Sequence, residues 1–203
     1  MSSAIVPFVE LSSHHVAMRP YRDEDARLLF VAASESVDTV GRWMPWCHAE
    51  YAEHDSVVWI KRCQASWHSG EEYNFGLFDP AGKYVGGAGL NHFNRDHNFA
   101  NLGYWVRQAR QREGFAGAAV QCLARFGFEA LRLTRIEIIA AAANIASRRV
   151  ADRRRSKRSP WGFRQRSGRP SLSVPACNRT SASFRQAKRG STNRRRQSWE
   201  HCR

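Results

Sequence analysis

The chain has 203 residues, with 32 Lys or Arg and 18 Asp or Glu, for a formal net charge of +14. That length suits one domain plus something extra, and no apolar run approaches the ~20 residues of a membrane-spanning helix. A charge this high suggests nucleic acid at first sight, but residues 1–151 hold 16 basic and 16 acidic side chains, so the whole excess lies in residues 152–203.

The sequence therefore joins two kinds of polymer near Ala151. The five cysteines are Cys47, Cys63, Cys122, Cys177 and Cys202. They are odd in number and form no Cys-x-x-Cys pair, which reads as free thiols in a reducing cytoplasm. No basic segment followed by an apolar one opens the chain, so a signal peptide is not expected and the expected location is cytoplasmic.

Val16-Ala17-Met18-Arg19-Pro20 alternates like a short strand that Pro20 ends. Asp23 is placed to cap a helix reaching about Ser36. Glu24 and Asp25 suit its first turn, and Ala26, Leu29, Phe30 and Ala33 form its inner face. Trp43-Met44-Pro45-Trp46 is aromatic and interrupted by proline, which reads as a turn or short helix whose aromatics serve core or lid packing. Asp55 or Ser56 can cap the next helix, with Val58, Trp59, Cys63 and Trp67 on one side.

Residues 73–79 read as a strand, Asp79-Pro80-Ala81-Gly82-Lys83 as a turn, and 84–91 as the antiparallel partner. Gly86, Gly87 and Gly89 inside that partner suggest a bend or the close approach of another backbone. After a polar loop at 94–98, residues 99–106 give the third strand of a meander. A helix follows, ending near Arg132, and then a strand at 135–140. If those two strands are parallel, they and the helix form a crossover unit.

The junction Tyr104-Trp105-Val106-Arg107-Gln108-Ala109-Arg110-Gln111-Arg112-Glu113-Gly114-Phe115-Ala116-Gly117 carries most of the functional information. A strand runs into a small-residue loop and then a helix start, where the first N–H groups lack intrahelical partners and the dipole is positive. Gly114, Ala116 and Gly117 leave room for an anion, and Arg110 and Arg112 add charge. Read locally, the same residues also fit an ordinary strand–helix connection with incidental glycines.

The run Gln111-x-x-Gly114-x-Ala116 resembles the Gln/Arg-x-x-Gly-x-Gly/Ala pyrophosphate loop of the GNAT superfamily of N-acetyltransferases. Its flanks, Asn101-Leu102-Gly103-Tyr104-Trp105-Val106 and Ala124-Arg125-Phe126-Gly127-Phe128-Glu129, are similar to the branch that acetylates the N-termini of ribosomal proteins. Met18-Arg19-Pro20 with Glu24-Asp25-Ala26 resembles that group's opening pattern. Asn144-x-x-Ser147-x-x-Val150-Ala151 resembles the start of its helix beside the pantetheine arm of coenzyme A. The family continues with a Glu-Lys-x-Gly-Phe type turn and a closing strand pair. This chain instead reads Asp152-Arg153-Arg154-Arg155-Ser156-Lys157-Arg158, and from there to Arg203 it has one Leu, one Val and no Ile.

What the resemblance implies is an α/β acyl-CoA N-acyltransferase fold: a mixed, mainly antiparallel sheet with helices on both faces, its last strands missing. The organisation would be an N-terminal segment at 1–14, an acetyltransferase domain at 15–151 and a basic, disordered tail at 152–203 that leaves strand 135–140 as a sheet edge. Acetyl-CoA would be the co-substrate, held by Trp105, Val106, Gln111, Arg112, Glu113, Gly114, Phe115, Ala116, Gly117 and Asn144. The pantetheine arm would lie where strand 104–106 splays from strand 135–140, and an N–H near Val106 would bind the thioester oxygen.

Ser147 matches the hydroxyl that protonates the leaving thiolate, or is a helix-surface serine. Glu137 could take the amine's proton through water, or be a solvent-facing or ion-paired strand residue. His92 and His97 read as loop histidines, and no metal site is expected. The acceptor would be a protein N-terminus or a small amine. Two other readings remain: a nucleic-acid-binding protein acting non-specifically through its tail, and an inactive acetyltransferase remnant whose C-terminus was replaced by a frameshift near codon 151.

Overall fold

A computed structural model describes residues 6–154 and 163–167. Seven strands form one sheet in sequence order: β1 (Leu11–Ser12), β2 (Ala17–Pro20), β3 (Tyr73–Phe78), β4 (Tyr84–Asn94), β5 (Phe99–Val106), β6 (Arg135–Ala140) and β7 (Phe163–Ser167). Neighbours from β1 to β5 are antiparallel. β5–β6 and β6–β7 are parallel, each connected through a helix, as parallel pairs require. The helices are α1 (Ala26–Ser34), α2 (Glu53–Ser69), α3 (Phe115–Arg125) and α4 (Ile145–Arg154).

Alternation along the strands gives the sheet two apolar faces. On one face Phe75, Leu77, Leu90, Leu102, Ile136 and Ile138 pack with Phe115, Val120, Leu123 and Phe126 from α3 and the turn after it. On the other, Tyr21, Phe78 and Tyr84 meet Leu29 of α1 and Ile60 and Cys63 of α2. Each such aliphatic side chain contributes about 1.5–3 kcal/mol by leaving water.

Several local expectations are corrected. Asp25, not Asp23, organises the first helix: a 3-10 turn spans Asp23–Asp25, and the buried Asp25 carboxylate accepts from the Arg22 N–H (2.8 Å) and both guanidinium ends of Arg19 (2.7 and 2.8 Å). Asp23 instead pairs with Lys61 on α2. α2 begins earlier than expected, at Glu53, and Asp55 reaches back to the Ala52 N–H at 2.8 Å. Val58 faces outward, and Ile60 takes the inner position. After Arg125, the helix widens into a π turn at Phe126–Ala130.

The largest correction concerns the basic tail. Its residues Phe163–Ser167 pair in parallel with β6 along all of Arg135–Ala140 except Arg135, from Ile136↔Phe163 to Ala140↔Ser167. β6 is therefore not the sheet edge, and part of the tail does join the core sheet. The expected disorder of residues 155–162 and 168–203 lies outside the described residues.

Cys47, Cys63 and Cys122 are buried, unbridged thiols. Burial pushes the Cys47 thiol up to about 11 and Cys63 further still, so these groups behave as small apolar side chains.

Candidate active site

β5 and β6 part company. They pair only at Phe99↔Arg135, Ala100↔Ile136 and Asn101↔Glu137, and from Leu102 onward β5 has no partner on that side among the described residues. The Arg107 N–H donates to the Val85 carbonyl at 2.9 Å. Antiparallel alternation then turns the N–H groups of Tyr104 and Val106 away from β4, into the opening between β5 and β6. Unsatisfied main chain lining a gap is a ready partner for an extended, amide-bearing ligand.

The opening leads to the start of α3. Gly114 is its N-cap with φ +90°, in the left-handed region where a side chain is strained. Arg112 also has positive φ, at +69°. The backbone N–H groups from Arg112 to Gly117 find no acceptor among the described residues. Consecutive unpaired donors at a helix start make an anion cradle.

The loop charges do not all serve that cradle. Arg110 is held by Asp79 at 2.8 Å and by Glu113 at 3.0 Å. Glu113, then Asp79, hold the Arg110 guanidinium firmly charged, and Arg110 in turn holds the Asp79 carboxyl below its usual range. Arg112, by contrast, is exposed. Of the two arginines expected to add charge to the loop, Arg110 is ion-paired and Arg112 is exposed.

Gln111 bridges two elements: its Nε2 donates to the Val106 carbonyl and to Thr39 Oγ1, both at 3.2 Å. Arg107 pairs with Glu35 beyond α1, Nε to Oε1 at 2.6 Å, and the carboxylate is lowered by that bond. These contacts fix the loop's entry to the α1 side of the sheet. Glu113 and Phe115 present backbone here, while their side chains meet Arg110 and the core. Ala116 and Gly117 fill the first turn of α3.

On the α3 side of the opening, Tyr104 spans from β5 to α4. Its hydroxyl lies 2.8 Å from Ser147 Oγ and 3.1 Å from the Ser147 carbonyl oxygen. Burial raises the Tyr104 hydroxyl, and the Ser147 bond partly offsets this. Asn144 Oδ1 accepts the Ser147 N–H at 3.0 Å, so Asn144 caps α4. Tyr104 was missed as a site residue. Period-two alternation from Trp105 already placed it on the opposite face, toward the helix that carries Ser147.

The other face of the opening holds Glu137, Asn101, Gly103 and Trp105. Glu137 is buried and lies 3.1 Å from Arg135 Nε, the ion-paired alternative of the two readings. Asn101 bonds Asn91 at 2.8 Å, while its own amide oxygen is buried with no partner among the described residues. A Cβ added at Gly103 would meet only the Asn91 amide, at 4.0 Å. Trp105 packs edge-on against Trp46 at 5.3 Å and Tyr84 at 6.1 Å, so Trp46 borders this face. The structure thus brings Trp105, Val106, Gln111–Gly117, Asn144, Ser147 and Glu137 around one opening, with Ser147 and Glu137 on opposite faces. His92 and His97 stay in the β4–β5 hairpin, away from it.

An opened sheet beside a helix start with unpaired N–H groups is the arrangement that a transferase with an acyl-CoA-like donor requires. The sequence profile of the acetyltransferase (GNAT) domain matches residues 15–154, and the chain belongs to that family. It is an acetyl-CoA-dependent acetyltransferase. YdaF of Bacillus subtilis, named as a candidate ribosomal N-acetyltransferase, is 28% identical over 146 residues, 70% of this chain and 77% of YdaF. Among solved structures, a candidate ribosomal-protein-serine acetyltransferase from Vibrio cholerae superposes with a TM-score of 0.64 at 27% identity, covering 75% of this chain and 83% of that one. The microcin C7 self-immunity acetyltransferase MccE, in complex with acetyl-CoA and AMP, gives 0.65 at 18% identity, covering 70% and 78%, which supports the fold alone.

Proposed function

We propose that this chain moves an acetyl group from acetyl-CoA to the α-amine of a protein N-terminus, of the ribosomal-protein kind. The observation that carries the reading is the three-rung pairing of β5 with β6, opening directly beside the unpaired N–H groups at the start of α3. The relatives named for ribosomal acetylation support the acceptor class. The domain would span 15–151 and the work would take place in the cytoplasm.

Acetyl-CoA supplies an activated acyl carbon with sulfur as its leaving group. The loop Gln111–Gly117 would hold the pyrophosphate with its backbone donors and Arg112. Tyr104 and Val106 would hydrogen-bond the pantetheine amides, with the Val106 N–H nearest the thioester oxygen, where a fixed donor stabilises developing charge. Trp105 would wall the acyl end, and Asn144 would set the start of α4. Ser147 Oγ would give a proton to the departing sulfur, drawing on the Tyr104 hydroxyl at 2.8 Å. On the opposite face Glu137 would take the amine's proton through water. One proton leaves nitrogen and one reaches sulfur, so the exchange balances.

The test is transfer by the full chain from acetyl-CoA to N-terminal peptides of ribosomal proteins, against spermidine and an aminoglycoside. Thiol release gives the rate and mass spectrometry the acetylated atom. Acetylation of the peptide α-amine is expected. Transfer to the small amines alone would overturn the acceptor assignment.

A further inference from the structure

We propose that His15 is a positioning residue of the anion loop, a latch that keeps its backbone donors turned toward the pyrophosphate; this rests on the reading of residues 111–117 as the pyrophosphate loop. His15 comes from the turn between β1 and β2. That turn is closed by the Ser13 N–H to Val16 carbonyl bond at 2.9 Å. Ser13 Oγ also accepts from the N–H groups of His15 and Val16, at 3.2 and 3.3 Å. Its place is therefore set by the sheet's first hairpin, far from the loop in sequence.

The ring reaches the loop by two contacts. It stacks on Phe115, the first residue of α3, with centroids 4.7 Å apart and planes 23° from parallel. Its Nε2 lies 2.5 Å from the Glu113 carbonyl oxygen. A carbonyl only accepts, so Nε2 carries the proton and donates.

The consequence follows from peptide geometry. The described backbone has no cis bonds, and in a trans peptide the C=O and the next N–H point in opposite directions. Holding the Glu113 carbonyl against His15 therefore turns the Gly114 N–H away from it, among the unpaired donors of the helix start. Gly114 tolerates either sign of φ, so the 113–114 peptide is the part of the loop most able to flip. A flip would exchange a donor for a carbonyl oxygen at the cradle. The His15 contact opposes that flip without itself touching the ligand.

The experiment is binding of coenzyme A and of pantetheine, which lacks the pyrophosphate, to the full chain and three variants, read by calorimetry and tryptophan fluorescence. His15→Phe keeps a ring against Phe115 and removes the donor; His15→Ala removes both; His15→Gln restores an N–H near the Nε2 position. Expected is a loss of about tenfold in coenzyme A affinity for His15→Phe and His15→Ala, equal to about 1.4 kcal/mol, with recovery in His15→Gln and unchanged pantetheine affinity throughout. Unaltered coenzyme A affinity in His15→Phe would overturn the proposal, as would equal losses for both ligands. Equal affinity of the parent chain for the two ligands would instead remove the pyrophosphate-loop reading, and the latch with it.

Discussion

Replacing Gly114 by Glu places a carboxylate where the loop is built to receive negative charge. The left-handed φ of +90° costs any non-glycine residue about 1–2 kcal/mol. The nearest atom to an added Cβ is His15 Nε2 at 3.4 Å, an ordinary contact, so the side chain has room. Two unit charges about 4 Å apart near a protein surface repel by about 4 kcal/mol, roughly a thousandfold in Kd. Gly114→Gln carries the same backbone strain and nearly the same bulk without the charge. The pair therefore isolates electrostatics. Calorimetry with coenzyme A should show Gly114→Glu binding roughly a thousandfold more weakly than Gly114→Gln, with the gap narrowing as salt rises. Thermal melts of the two should nearly coincide. Equal affinities for Glu and Gln would show that this loop holds no phosphate.

Other perturbations report on the remaining parts. Ser147→Ala and Tyr104→Phe should each lower kcat by about 10²–10⁴-fold, the usual weight of one acid–base group, while leaving coenzyme A affinity intact; a kcat unchanged in both would remove the proton-donor role. Gly103→Val should raise KM for the amine without changing coenzyme A binding, because only the face opposite α3 is filled; a loss confined to coenzyme A binding would place the acceptor elsewhere. The Glu35 and Asp79 carboxyls sit below their ordinary range because of Arg107 and Arg110. Depressed folded values mean that their stabilisation is present above the unfolded pKa of about 4 and is lost as pH falls through the folded values; Asp79→Asn should flatten that acid limb of a pH–Tm curve. Ending the chain at Arg154 should expose the edge of Ile-rich β6 and promote aggregation visible by light scattering; a soluble truncated form with an unchanged Tm would show that β7 contributes little.

The sequence by itself determined much of the frame. Helical and strand periodicity placed β5 and β6 at their observed bounds, because both faces of a central strand must alternate or stay apolar to be buried. The Gln111-x-x-Gly114-x-Ala116 spacing located the helix start, since a small-residue loop before a helix is a local chemical requirement. Contacts between segments distant in sequence leave no such trace. Neither the Tyr104–Ser147 bridge nor the capture of Arg110 by Asp79 could be read from either partner alone. The same holds for the approach of His15 to Glu113, 98 residues along the chain. Composition misled at the tail: averaged over 152–203 it is polar and basic, yet five residues, Phe163–Ser167, suffice for a strand when β6 offers an unpaired edge. Whether a short polar segment joins a sheet is decided by the edge that waits for it, and that edge exists only in the folded chain.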